Sequence, residues 1–205
     1  MQATSTAKFP QPMRPHGITG RVFGILMERL NRTAYRRAAA LVDLPAEGSF
    51  LEIGFGTGRL LELVAADRPD GFFAGVDPSP LMLATARRRL DRAHIARDLR
   101  EGTAERLSWP DQSFDAVAAL HSFQFWPDPV SAFGEIRRVL KPGGRFVLIL
   151  RDHSRKDAEW LPNPWSRSRS EINDALRLLA NTGFATRREM PDAGTSAIIV
   201  AEAKP

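Results

Sequence analysis

The chain has 205 residues, enough for one α/β domain with a sizeable buried core. Its hydrophobic fraction of 43% and charged fraction of 26% are those of an ordinary globule, and no apolar run approaches the roughly 18 residues that cross a bilayer. The absence of cysteine excludes disulfides, thiolate zinc sites and a cysteine nucleophile; the formal charge of +5 keeps an acidic or phosphorylated partner open.

Residues 1–17 lack the apolar core of a signal peptide and read as a flexible N-terminal arm, which leaves a cytoplasmic location as the expectation. Residues 18–205 read as a single domain. Its first part, 18–45, is a helical cap in which Val22, Ile25 and Leu26, then Tyr35, Ala38, Ala39 and Val42, share an apolar stripe. Pro45 and Gly48 break it. A short apolar strand spans 49–53, and a helix begins at Leu60 directly after a glycine-rich turn.

The second strand is 72–76. Ser79 caps the next helix, with Pro80 in the first helical position, where its missing N–H costs nothing. A weak third strand lies near 98–102 and a fourth at 116–120. Asp128-Pro129 opens another helix, which Lys141-Pro142-Gly143-Gly144 is expected to stop before a fifth strand at 145–150. Ser168 with Glu171 fits a capping box for a helix whose apolar stripe is Ile172, Ala175, Leu176 and Leu179, ended by Gly183. Strands at 185–190 and 196–201 could pair as an antiparallel hairpin. Strands alternating with helices imply a largely parallel, doubly wound sheet.

Gly54, Gly56 and Gly58 sit between strand and helix, where a backbone free to turn sharply lets a ligand approach closely. A dinucleotide fingerprint G-x-G-x-x-G would put its third glycine at position 59, which is Arg59; the spacing is G-x-G-x-G, against a nicotinamide cofactor. Asp77 ends the second strand, where a carboxylate can accept both hydroxyls of a ribose, or can merely cap the helix behind Pro78.

FLEIGFGTG, GVDPSPLML, EGTAERLSWPDQSFDAV and LKPGGRFVLI follow one another in the order and spacing of class I S-adenosylmethionine (SAM)-dependent methyltransferases, which residues 48–150 resemble. Within that family the likeness is to the type 11 small-molecule subgroup of ubiquinone- and menaquinone-methylase type. The resemblance implies a Rossmann-like, seven-stranded, mostly parallel sheet with an antiparallel C-terminal hairpin and a helical cap. It implies SAM as cofactor and S-adenosylhomocysteine (SAH) as product.

It also implies a distribution of roles. Gly54, Phe55, Gly56 and Gly58 would line the methionine and ribose parts of the cofactor, Glu52 would orient its amino group, and Asp77 would hold the ribose hydroxyls. Pro78, Ser79 and Met82 would flank the adenine, although Met82 and Phe55 could be plain core. Thr103, Ala104 and Glu105 would meet the adenine edge, with Asp98 or Asp111 as alternatives to Glu105. His121 and Ser122 would lie by the amino group and the transferable methyl.

His121 is the first candidate for a general base, if the acceptor must lose a proton at all, because its unperturbed pKa lies near neutrality. His153 and Tyr35 follow; His16 and His94 look peripheral. The stretch LHSFQFWPDP lacks the Asn/Asp-Pro-Pro-aromatic motif of nucleobase amino-methylases. Phe123, Phe125 and Trp126 would wall an apolar acceptor or pack sheet against helix. Trp160 and Trp165 lie in a short Pro-rich connection, so the lid would come mostly from residues 9–35.

A small-molecule acceptor methylated at O, N or C is therefore expected. The basic clusters, Arg87-Arg88-Arg89, Arg36-Arg37 and Arg167/Arg169, read as solvated helix faces and make nucleic acid the lesser partner. An RNA methyltransferase would use those clusters on phosphates. A non-catalytic SAM-binding relative would bind cofactor beside a blocked cavity. An aminopropyl transferase on the same fold would want acids that LHSFQF does not offer.

Overall fold

The computed structural model describes residues 28–151, 169–189 and 196–204. The N-terminal arm, residues 18–27 of the expected cap, His16, His153, Trp160, Trp165, Arg167 and Ser168 lie outside the described residues. Among those described, no helix is long and apolar enough to cross a membrane.

Residues 28–30 are helical and lead through Asn31 into α1 (Arg32–Val42). There follow β1 (Ser49–Ile53), α2 (Arg59–Asp67), β2 (Phe72–Asp77), α3 (Pro80–Arg92), β3 (Arg97–Glu101), β4 (Phe114–Leu120), α4 (Pro129–Val139), β5 (Leu140–Arg151), α5 (Arg169–Asn181), β6 (Phe184–Glu189) and β7 (Ser196–Ala203). The seven strands form one sheet in the order β3-β2-β1-β4-β5-β7-β6. The first five run parallel; β7 pairs antiparallel with both β5 and β6. This is the doubly wound, seven-stranded sheet with a C-terminal hairpin expected from the sequence.

Both faces of the central strands are covered, which is why β1 is buried along its whole length, its apolar run Phe50–Ile53 broken only by Glu52. One face packs Phe50, Ala116, Ala118, Val147 and Ile149 under α1, α2 and α3. The other packs Leu51, Val117, Phe146 and Leu148 against α4 and α5, with Phe133 of α4 stacked on Phe123. The order reverses between β1 and β4, so the strand ends of β1 and β4 flank the switch point where ligands bind in such sheets.

The helix caps follow the sequence closely. Ser79 Oγ accepts from Met82 N–H, and Asp128 accepts from the N–H groups of Val130 and Ser131, satisfying donors that a helix start leaves free. One expectation fails. The segment Lys141–Gly144 does not separate helix from strand: α4 ends at Val139 and Leu140 already pairs with Phe114. The next paired residues are Ala116 and Arg145, so the two-glycine segment bulges inside β5. Gly143 has φ +74°, and a side chain on Gly144 would press on the Lys141 and Asp115 carbonyls.

Candidate functional site

The glycine turn is built for close backbone approach. Gly54, Gly56 and Gly58 have φ of +72°, +53° and +76°. Gly54 N–H still belongs to the sheet, donating to the Val76 carbonyl at 2.7 Å. A methyl at Gly54 would sit 2.5 Å from Ser122 Cβ, and one at Gly58 2.9 Å from Ala86 Cβ. Around Gly56, by contrast, nothing lies within 4 Å of where a side chain would begin. The first and third glycines thus serve packing, and the middle one opens to a ligand.

Two carboxylates flank the turn. Asp77, at the end of β2, accepts from Gly56 N–H at 2.8 Å on one oxygen and from Ser79 N–H at 2.9 Å on the other. Burial pushes its pKa up to about 6 against the pull of those two donors. A carboxylate has about four lone-pair sites, so roughly half its acceptor capacity stays open. Glu52 is 1% exposed, and burial drives its pKa well above the carboxylate range. Leu61 N–H, donating at 3.2 Å, and Arg89 oppose that rise, while the charge of Asp77 adds to it. Two strained acids so placed would gain from a cationic ligand.

The cap meets the turn through ion pairs that the sequence reading missed. Glu28 accepts from Thr57 Oγ1 at 2.9 Å and from Arg89 Nη2 at 2.8 Å, with Arg59 Nε at 3.8 Å. Arg59 Nη1 lies 2.5 Å from Glu62. Arg89 therefore leaves the solvated face assigned to its cluster; only Arg87 and Arg88 are exposed. Arg37 likewise turns to Glu189 at 3.9 Å. Tyr35 of α1 is shielded beside Glu52 and Glu28, and burial, reinforced by both charges, raises its pKa.

After β4, His121 adopts φ +51° and donates its N–H to the Ile149 carbonyl at 2.9 Å, while Gln124 Nε2 holds its carbonyl at 2.6 Å. Both ring nitrogens are shut off from solvent and have no hydrogen-bond partner. Burial, and then the charge of Arg151, push its pKa down to about 3, so the imidazole is neutral across the physiological range. Ser122 Oγ donates to the Ile53 carbonyl at 2.9 Å and so ties β4 to β1 beneath Gly54.

The remaining site residues divide. Phe55 and Met82 turn into the core at 1% and 5% exposure, and a side chain at Gly75 would strike the Phe55 ring at 2.6 Å, so Phe55 can line a ligand only with its backbone. Pro78 and Ser79 form the β2–α3 turn, Ser79 buried by its capping role. Ala104 is buried, Thr103 half-exposed, and Glu105 keeps one carboxylate oxygen shielded and unpartnered. Asp98 is engaged by Arg100 and by Trp109 Nε1 at 2.9 Å, and Asp111 by Arg138, which leaves Glu105 as the uncommitted acid of that loop. Phe123 and Trp126 pack on Phe133, so only half-exposed Phe125 of the three aromatics is left for a wall.

The chain is similar to known methyltransferases in sequence and fold. Residues 51–148 match the family model described as a methyltransferase domain. A demethylmenaquinone methyltransferase of Thermus thermophilus is 37% identical over 114 residues, 56% of this chain and 52% of its own. A phosphatidylethanolamine N-methyltransferase of Cereibacter sphaeroides is 31% identical over 130 residues, covering 62% of each chain. These matches span about half to three fifths of the relatives' length. A solved SAM-dependent methyltransferase from Aquifex aeolicus superposes with a TM-score of 0.69 over 82% of this chain and 88% of its own, at 17% identity, a likeness of fold.

Proposed function

We propose that the chain, whose residues 51–148 match a methyltransferase domain, is a class I, SAM-dependent enzyme that carries the methyl group of SAM to a small, partly apolar molecule. The proposal rests on a pair of buried acids that flank the glycine turn, Asp77 bonded to Gly56 N–H and Glu52 to Leu61 N–H, with open space at Gly56. SAM bears an ammonium and a sulfonium, and these residues fit it: the acids supply compensating charge and Asp77 has lone pairs free for two ribose hydroxyls. The names of the relatives, a demethylmenaquinone and a phosphatidylethanolamine methyltransferase, favour an acceptor with an apolar part.

SAM supplies a methyl group already activated for in-line displacement. The chain's own task is then to position and to exclude water. Gly56 brings backbone close to the ligand, with Gly54 and Gly58 letting the turn pack beneath it; Glu105 and the Ala104 N–H take the adenine edge. His121, neutral and unpartnered, can accept a hydrogen bond from the acceptor, while the burial that lowers its pKa to about 3 makes it a weak base. Because burial holds it neutral, activity should show no limb near pH 6.5 from this histidine.

An acid limb is expected instead from Asp77. Its pKa near 6 lies above the ordinary carboxylate value. The ligand-free fold therefore holds this proton more tightly than the unfolded chain, and its contribution to stability falls as pH rises from about 4 to about 6. Ribose hydroxyls need the ionised carboxylate. Affinity for SAM should accordingly weaken by about tenfold between pH 7 and pH 5, one proton being taken up below 6. Calorimetric titration at pH 5, 6, 7 and 8 reads this directly; a flat profile would detach Asp77 from the ligand.

The acceptor class is tested with methyl-labelled SAM, presenting small phenols, amines and quinols in one arm and total RNA in the other. Label in the small-molecule extract supports the proposal. Label confined to RNA would transfer the function to the exposed arginines of α3, Arg87, Arg88 and Arg92.

A further inference from the structure

We propose that Arg151, with His121 beside it, forms a carboxylate-binding site at the ligand end of β5, a step that rests on the SAM reading of the adjoining turn. Alternate residues of β5 face α1: Arg145 reaches the Leu41 carbonyl and Asp43, Val147 and Ile149 join the core beneath, and Arg151 comes next along the strand. Its guanidinium meets Asn31 Oδ1 at 3.0 Å, just ahead of α1. His121 bonds to Ile149 in the neighbouring strand, which sets its ring in the field of Arg151.

Arg59, Arg89, Arg97, Arg100, Arg138 and Arg145 each face a carboxylate. Among the described residues Arg151 faces only the amide oxygen of Asn31, although it is half-buried and burial lowers its pKa. A guanidinium has five N–H donors, and among the described residues one of them finds an acceptor here. A half-buried cation without a counter-charge is costly, and the cost is recovered when an anion arrives. The two nitrogens of His121, shielded and unpartnered, are the second sign of a missing ligand.

The ligand's charge follows from the donors. One cation and one neutral imidazole N–H match a single negative charge, and the planar fork of arginine suits the two oxygens of a carboxylate. That carboxylate has two sources: the amino-acid part of the nucleoside ligand, or the methyl acceptor.

Calorimetry on wild-type, Arg151→Gln and Arg151→Lys proteins distinguishes them, with thermal unfolding confirming that each is folded. The ligands are SAH and 5′-deoxy-5′-methylthioadenosine, which keeps the adenosine and thioether but lacks the carboxylate; benzoate is then titrated into SAH-saturated protein. A loss of at least tenfold for SAH in Arg151→Gln, with methylthioadenosine unchanged and partial recovery in Arg151→Lys, assigns the site to the nucleoside ligand. Unchanged SAH with saturable benzoate binding, weakened at least tenfold in Arg151→Gln, assigns it to the acceptor. Equal affinities for all three ligands in wild type and Arg151→Gln would overturn the proposal, as would equal losses for the two nucleosides. If wild type binds neither nucleoside, the SAM reading fails by itself. Benzoate titrated into the free protein then decides for Arg151: saturable, Arg151-dependent binding upholds the site and its absence overturns it.

Discussion

Asp77→Asn should cost at least tenfold, and on the order of a hundredfold, in SAM affinity while shifting the melting temperature by only a few degrees. The binding loss follows from charge: each hydrogen bond to an ionised acceptor is worth about 1.5–3 kcal/mol, and two ribose hydroxyls would lose that assistance together. The small effect on the fold follows from two terms of opposite sign. Asparagine keeps one oxygen for Gly56 or Ser79 N–H and leaves the other donor poorly met. It also removes a carboxyl that burial has pushed up to about 6 and that is therefore ionised at a cost at neutral pH. Calorimetry and thermal unfolding of the same preparation separate the two. Unchanged affinity would leave Asp77 as a structural cap; a melting temperature lower by ten degrees or more would show that its two backbone bonds hold the turn.

Gly54→Ala should damage the fold itself. A left-handed residue costs an L side chain roughly 1–2 kcal/mol, and overpacking a tight site adds about 1–3 kcal/mol. Here the added carbon would lie 2.5 Å from Ser122 Cβ, and Ser122 cannot retreat without losing its bond to the Ile53 carbonyl. At about 2–4 °C per kcal/mol for a chain of this size, the melting temperature should fall by about 10 °C. Gly56→Ala is the matched control. It shares the positive φ but meets nothing within 4 Å, so it should lose only about 1–2 kcal/mol while narrowing the space above the turn. Equal melting points for the two variants would mean that the Gly54–Ser122 contact carries no energy.

What the sequence could reveal depended on whether a local pattern decided the matter. Strand and helix positions were legible because periodicity and caps are local; Ser79 and Asp128 form the capping bonds their positions imply. The interior of Lys141–Gly144 was misread because glycine pairs that end a helix also make a bulge, and only the partner strand distinguishes them. Which way a ring points was equally hidden. Phe55 stands inside the glycine motif, yet it fills the space left by Gly75, twenty residues away.

Arg89 looked like one of three solvated arginines until Glu28, from the cap, came within 2.8 Å. Arg151 carried no signal at all as the last residue of an apolar strand. Its interest lies in facing no carboxylate among the described residues, which a sequence does not display. The aromatic stretch after β4 was ambiguous in one dimension and is largely decided in three: Phe123 and Trp126 support α4, and Phe125 stays half-exposed.

SAM is proposed to bind over Gly56, beside Asp77 and above the buried Glu52. A single calorimetric titration of the intact chain with SAM, repeated with SAH, tests it most directly. One site per chain is expected for both ligands, with the SAM affinity falling between pH 7 and pH 5. No heat from either ligand at millimolar concentration, or binding that Asp77→Asn leaves untouched at every pH, would contradict it.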